Sequence, residues 1–411
     1  MFTETFRLLL VKALSALLGF TVTLTITQSL DVDSSGIYFL ILSIVAVIIP
    51  VCLAGLGSYL IKYDGDIKLL NSFSILFVFI SSVVISVLMC VLQYFFEILN
   101  GLEITISMGI LISSVILANC IGEYLGNIYQ KESKAWIGGA FIILIRQLLT
   151  LLLLFGFTLN NIRLDIEAAF SILLFSSLIS IVISFLYIKD SFSFSNVSLE
   201  RGLAFLKKSK VFMANHILAT INGGLIPILL ATFGTLSDVA YFSIPLKVVA
   251  LTSLILIPLN RVVAPRYSQC FNDKDFVGLQ SVCLFSARLC FLFSVPLILI
   301  MYFTSEVILG LFGPEYLKSS MMVFKVMLVG QLINSMTGSV GWLLQMTGSE
   351  LAYRNLSIIN LLITVISSYF LIQLYGALGA AIAYSFSLAF VNVVSVLLIK
   401  KRVGLNVLKF F

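Results

Sequence analysis

Apolar stretches of about twenty residues recur from one end of this 411-residue chain to the other. Each can cross a ~30 Å hydrocarbon layer at ~1.5 Å per residue. Lipid offers no hydrogen bonds, so a spanning segment must be a helix or a strand of a closed barrel. Barrel strands alternate in polarity over about ten residues, and these stretches do not. Composition agrees: 60% of residues are hydrophobic and 11% charged, against about 25% charged in soluble domains. Too few charges remain to coat a water-facing exterior.

The sequence therefore predicts an all-α integral membrane protein. About twelve transmembrane helices are expected near residues 8–30, 37–61, 72–96, 104–125, 137–159, 166–188, 211–233, 239–260, 279–303, 321–345, 355–374 and 377–399. The run Leu8–Leu30 is long, and Asp31-Val-Asp lacks the small residues of a cleavage site, so it is read as the first span rather than a signal peptide. With both termini placed in the cytoplasm, nineteen of the 25 Lys and Arg fall on that side, counting Lys12 at the cytoplasmic start of span 1. Arg163 and Lys318 fall opposite, and four lie within spans. This is the positive-inside bias, and the acidic residues show none. The net charge of +6 then reflects membrane topology and implies no nucleic-acid partner.

The longest non-spanning stretch, Lys189–Lys210, is basic and central. It divides the chain into a six-helix bundle at 1–188, a cytoplasmic linker at 189–210, a second six-helix bundle at 211–399 and a basic tail at 400–411. Within the linker, Leu199–Leu206 reads as a short interfacial helix. The approaches to spans 2 and 8 echo each other: Asp33-Ser-Ser-Gly-Ile-Tyr-Phe39 against Leu236-Ser-Asp-Val-Ala-Tyr-Phe242. Two parallel six-span halves around a central cavity are transporter architecture. No extramembrane segment is large enough for a globular domain, which removes ATP-driven pumps and two-domain enzymes.

Charges at bilayer depth are costly and mark a cavity or a partner. Arg146, Lys247, Arg288 and Lys325 face a single acid at that depth, Glu123. One acid cannot neutralise four bases, so part of the positive charge is available for an anionic ligand, unless it snorkels to the interface. In span 1, Lys12, Ser15, Gly19, Thr23 and Thr27 share a face. In span 7, His216, Thr220, Gly223 and Pro227 share another, with Asn215 and Asn222 beside it. In span 10, Gln331, Asn334, Ser335, Gly338, Gly341 and Gln345 form a stripe, from which Lys325 points away. These faces line a cavity or pack closely; the residues alone leave both open. Glu123 is either an exchangeable site for a coupling cation, H+ or Na+, or a partner for a base. The lone histidine and the six dispersed cysteines suit packing better than a metal, and no Walker A, His-Glu-x-x-His or nucleophile-elbow motif occurs.

Phe312-Gly-Pro-Glu-Tyr316, Gly341-Trp-Leu-Leu-Gln-Met-Thr-Gly-Ser-Glu350, Tyr241-Phe-Ser-Ile-Pro-Leu-Lys247 and Leu56-Gly-Ser-Tyr-Leu-Ile-Lys62 together resemble the bacterial polysaccharide and O-antigen flippases. These belong to the multidrug/oligosaccharidyl-lipid/polysaccharide (MOP) exporter superfamily. The resemblance implies two six-helix bundles around a V-shaped cavity in the inner membrane, and an undecaprenyl-pyrophosphate-linked oligosaccharide as substrate. Partners then extend to the bilayer and to the polymerase and chain-length proteins of the same pathway. Arg146, Lys247, Arg288, Lys325 and Lys12 would complement the pyrophosphate, and Asn222, Gln331 and Asn334 the sugar hydroxyls. Two rival readings stand: a cation-coupled multidrug exporter of the same superfamily, and a membrane polysaccharide polymerase.

Overall fold

The computed structural model describes residues 2–63, 65, 67–96, 105–160, 162, 164–193, 199–254, 256–405 and 407. The side chains of residues 2–5, 90–96, 199, 211, 214, 215, 219, 222, 257, 258 and 261 fall outside that description. All regular structure among the described residues is helical. Compactness divides the chain into two units, Met1–Ile228 and Leu229–Phe411.

The first unit contains α1 (Phe2–Ser29), α2 (Val32–Leu53), α3 (Leu56–Lys62), α4 (Ile67–Phe96) and α5 (Ile106–Lys131). Then follow α6 (Ala135–Gly139), a π turn (Ala140–Leu144), α7 (Ile145–Leu159), α8 (Ile166–Tyr187) and most of α9 (Leu199–Phe233). The second unit takes the end of α9, then α10 (Leu236–Ala250), α11 (Leu256–Asn272), α12 (Phe276–Phe303) and α13 (Ser305–Gly310). It closes with α14 (Pro314–Thr337), α15 (Val340–Met346) and α16 (Glu350–Val403). Among the described residues nine helices are long and apolar enough to cross a membrane. The 54-residue α16 is long enough for two passages and breaks at Gly376 (φ 53, ψ −129). With α9 and the α10–α11 pair, the passages number about twelve.

Helix starts follow local chemistry. Asp31, Thr105, Asp165 and Asp275 each accept a hydrogen bond from a backbone N–H three residues on, satisfying a donor the first turn leaves free. Exposed apolar residues recur at helical spacing, as at Leu10, Leu14 and Leu17 on α1 and at Leu148, Leu152, Phe155 and Leu159 on α7. Such stripes face lipid.

The two units repeat one packing plan. In the first, α5 packs against α2, α4 and α8; in the second, α14 packs against α10, α12 and α16. Both members of the sequence echo make aromatic contacts, though at different positions of the motif: Tyr38 meets Phe170 with ring centroids 5.1 Å apart, and Phe242, which aligns with Phe39, meets Tyr384 at 6.3 Å. Both second spans also break near their ends. Helix α2 stops at Ala54–Gly55 (φ 47 and 75), and α10 passes through a 3-10 turn at Leu251–Ser253 before α11 begins.

Three expectations change. Span 8 is not one helix over 239–260, and the loop expected after it is helical to Asn272. Span 10 ends at Gly338, whose φ of +67 and close approach to the Ala287 backbone require glycine, so Gly341 and Gln345 sit on a separate helix, off the stripe of Gln331 and Asn334. The linker segment at Leu199–Leu206 is not a detached interfacial helix but the first turns of α9. Its buried positions Gly202, Phe205 and Ser209 pack on protein: Phe205 among Tyr59, Tyr63 and Phe73, and Ser209 Oγ donating to Ala54 O at 2.9 Å. Cys52, Cys120, Cys283 and Cys290 are buried and unbridged, Cys270 is half-buried and free, and Cys90 lies outside the described side chains.

One carboxylate ties the second unit together. Asp238 completes a capping box with Thr235 at the start of α10, its Oδ2 accepting from Thr235 N at 3.1 Å and from Thr235 Oγ1 at 2.8 Å. Its Oδ1 accepts from Ala377 N at 3.0 Å, capping the second half of α16 just past the break. Asp238→Ala is expected to destabilise this unit by about 2–4 kcal/mol, the sum of two lost caps. Thermal unfolding of the purified protein in detergent checks this, with Asp238→Asn, which keeps an acceptor oxygen, falling between.

Candidate functional site

The first unit builds a polar site around Arg146, and a defect in helical winding aims it. Over Ala140–Leu144 the chain makes a π turn, which adds a residue without ending the helix. Ser180 of α8 donates to Phe141 O at 2.6 Å, satisfying a carbonyl the wide turn would leave unpaired. The inserted residue shifts everything after it by roughly 100°. Arg146 then faces α5 and Gln147 faces α1. Arg146 Nη1 donates to Asn119 Oδ1 at 2.8 Å, and Asn119 Nδ2 donates to Val115 O at 2.8 Å, which orients the amide with its oxygen toward the guanidinium. Glu123, one helical turn on from Asn119, is exposed and within electrostatic range of Arg146, as is the buried Tyr38. On the other side Gly19 abuts Gln147, where a Cβ would lie 2.8 Å from Nε2. Gln147 Oε1 is buried with no hydrogen-bond partner among the described residues, as is Ser15 Oγ one turn from Gly19.

The polar face of α1 is therefore mostly packed. Ser15, Thr23 and Thr27 are buried, and Thr23 and Thr27 return their hydroxyls to Gly19 O and Thr23 O at 2.8 and 3.0 Å. Close packing, one of the two readings left open by sequence, accounts for that face. Lys12 is half-buried about two turns before Gly19, roughly 10 Å along the axis, outside the contacts of Arg146.

The second unit holds Lys247, Arg288, Lys325, Gln331 and Asn334. Lys247 on α10 and Arg288 on α12 are exposed. Lys325 on α14 lies over the Tyr302 ring of α12, 5.3 Å from its centroid. That contact occupies the cation, on the side of α14 about 180° from Asn334. Gln331 is buried and donates to Ser253 Oγ. Asn334 Oδ1 accepts from Asn392 Nδ2 at 3.1 Å, and Asn392 Oδ1 accepts from Thr337 Oγ1 at 2.9 Å. The Asn334 and Asn392 amides serve the α14–α16 contact, and Gln331 joins α14 to the 3-10 turn that follows α10. The side chains of Asn215 and Asn222, and all of Arg163, lie outside the described residues.

Sequence reasoning passed over Asn119, Gln147 and Tyr38. The one available signal for Asn119 was its spacing of four residues from Glu123 on a single helical face. A separate cavity, of about 560 Å³, lies at the other end of the unit from α3 and is lined by Asp31, Asp165 and Glu167. Its acids are engaged: Asp31 and Asp165 cap helices, and Glu167 Oε1 accepts from Thr105 Oγ1 and Ser107 Oγ at 3.0 Å each. Hydrogen bonds from Ser34 hold the Asp31 carboxyl below the ordinary carboxylate range. Among the described residues no group of three or more His, Cys, Asp or Glu gathers as a metal site.

Comparison with known proteins fits this arrangement. The family model described as "Polysaccharide biosynthesis protein" matches residues 2–271, and the MatE model matches 213–370. A Shigella flexneri protein described as "Putative O-antigen transporter" is 26% identical over 235 residues, covering 54% of this chain and 53% of its own. The chain thus aligns with about half the length of that curated relative. Among solved structures, an inward-facing multidrug resistance MATE family transporter of the MOP superfamily superposes with a TM-score of 0.75 at 14% identity, covering 95% of this chain and 94% of its own. The lipid II flippase MurJ in its inward closed conformation superposes at 0.69 and 16%, covering 95% and 87%. The chain belongs to the polysaccharide biosynthesis protein family and has the fold of the multi-span transporters of the MOP superfamily.

Proposed function

We propose that this protein is a flippase carrying an undecaprenyl-pyrophosphate-linked oligosaccharide, an O-antigen or capsule repeat unit, from the cytoplasmic to the outer leaflet of the bacterial inner membrane by alternating access. The observation that carries the reading is the state of Arg146. At membrane depth its hydrogen-bonded partner is a neutral amide, so its positive charge is held in a fixed direction with no contacting carboxylate among the described residues. A diphosphate is strongly anionic and offers paired oxygens to a forked donor, which suits a guanidinium. The lipid tail stays in the bilayer while the head group crosses, so the protein needs to shelter only the charged and sugar-bearing part. The curated relative described as an O-antigen transporter and the lipid II flippase among the structural neighbours support the same substrate class.

A multidrug exporter of cations would require acids at depth, and Glu123 is the single one. The test is the side on which cargo accumulates. Cells lacking the protein are expected to accumulate intact lipid-linked repeat units on the cytoplasmic face of the membrane, read by accessibility to an added membrane-impermeant glycan-binding probe before and after permeabilisation. Accumulation on the external face overturns the reading in favour of a polymerase, and unchanged surface glycan overturns glycan export altogether.

A further inference from the structure

Glu123 is the one acid that the sequence places at membrane depth, and it stands beside a deep base whose hydrogen-bond partner is a neutral amide. Asn119 and Glu123 occupy positions i and i+4 of α5, so their side chains emerge on one face about 5–6 Å apart. Arg146 rests on the first, with Nη1 to Oδ1 at 2.8 Å, and feels the charge of the second. Asn119 cannot turn away easily, because its amide nitrogen is engaged with Val115 O at 2.8 Å. Glu123 is different: its side chain is exposed, and among the described residues its hydrogen bonding runs through the backbone carbonyl, which accepts from Asn127 Nδ2 at 2.9 Å. The guanidinium therefore has a fixed neutral acceptor on one side and an unanchored anionic one within a helical turn.

We infer that Asn119 is the positioning residue for Arg146 and that Glu123 is a built-in counter-anion, which an incoming diphosphate must displace from the field of Arg146 and which competes for that charge again as the head group leaves. The inference rests on Arg146 as the head-group ligand. A guanidinium with no competitor would hold a diphosphate too tightly for release, and one paired outright with a carboxylate would not capture it. An acid one helical turn from the residue that holds Arg146 sets an intermediate affinity: a solvent-screened charge pair of this kind shifts binding by about tenfold.

The experiment uses the full chain in lipid nanodiscs with inorganic pyrophosphate as the probe, affinity by calorimetry and stability by thermal unfolding. Glu123→Gln is expected to bind pyrophosphate about tenfold more tightly than the unsubstituted protein. Asn119→Asp, which places a carboxylate directly on Arg146, is expected to bind at least tenfold more weakly, and Asn119→Gln only slightly more weakly. Arg146→Ala is expected to show no binding. A Glu123→Gln protein that binds no more tightly overturns the inference, and so does the absence of binding in both the unsubstituted and Glu123→Gln proteins. A purely structural Glu123 would lower the melting temperature and leave affinity unchanged, which also overturns it. The flippase reading is judged separately, by where lipid-linked repeats accumulate. Cytoplasmic accumulation in null cells combined with unchanged Glu123→Gln affinity sinks this inference alone.

Discussion

Cells whose only copy carries Arg146→Ala and Lys247→Ala are expected to display no surface glycan while retaining normal amounts of the protein in the membrane. Each unit loses one basic group placed at depth: Arg146 directed by Asn119, and Lys247 exposed on α10. On the proposed reading each base makes a charge-assisted contact to phosphate, which contributes about 1.5–3 kcal/mol, so each loss would weaken head-group binding by roughly 10- to 100-fold. Two such losses together place binding beyond the reach of cellular substrate. Folding is expected to survive, since Arg146 is partly exposed, Asn119 keeps its bond to Val115, and Lys247 is on the surface of its unit. Surface glycan measured against membrane protein level separates the two effects. The exchange Arg146→Lys with Lys247→Arg keeps both charges and is expected to retain partial export, limited by the loss of the forked donor at 146. Full surface glycan in the double alanine variant would overturn the proposed role of both residues in head-group binding.

Gly55→Val is expected to leave little folded protein. Gly55 has φ +75, a conformation that costs an L side chain about 1–2 kcal/mol. A Cβ there would also strike Ser209 O and lie 2.5 Å from Met213 N, both backbone atoms of α9 that cannot swing aside. Forced overpacking adds about 1–3 kcal/mol, and the combined 2–5 kcal/mol is a large part of an ordinary folding free energy of about 5–15 kcal/mol. Gly156→Ala provides the contrast. It lies within α7, and no atom comes within 4 Å of the position its Cβ would take, so better helix propensity is expected to stabilise it by about 0.5–1 kcal/mol. Unfolding temperatures and yields of the two variants in detergent check the pair. A Gly55→Val protein that melts like the parent would mean that α9 does not seat on the α2–α3 break.

Span positions were legible because crossing a membrane is a local property. A stretch such as 166–188 is long and apolar whatever its neighbours do, and α8 occupies Ile166–Tyr187. The deep charges were legible for the same reason, since a base within an apolar run stands out unaided. Helix interruptions were less so. In the run 239–260 one signal of a break was legible, Pro258, which falls in the first turn of α11. The position of the 3-10 turn at Leu251–Ser253 was not, because it depends on partners such as Ser294, whose hydroxyl donates to Thr252 O at 2.9 Å. Projecting span 10 as one continuous helix carried the polar stripe past Gly338, because a periodic wheel cannot register one residue of positive φ.

Hydrophobic length and charge asymmetry along the chain determined by themselves that it is a helical membrane protein with about twelve passages in two similar halves. Those properties arise from what each short segment costs or gains in lipid, and no distant residue alters them. Which polar residues act together was decided by tertiary structure alone. Asn119 and Arg146 are 27 positions apart, and they meet because a π turn in one span and an amide fixed on another bring donor to acceptor at 2.8 Å. Lys325 was one of the four deep bases in the sequence, already turned away from the polar stripe of its span, and packing sets it on the Tyr302 ring. A hydrogen bond depends on tenths of an ångström and on direction, and only packing sets those.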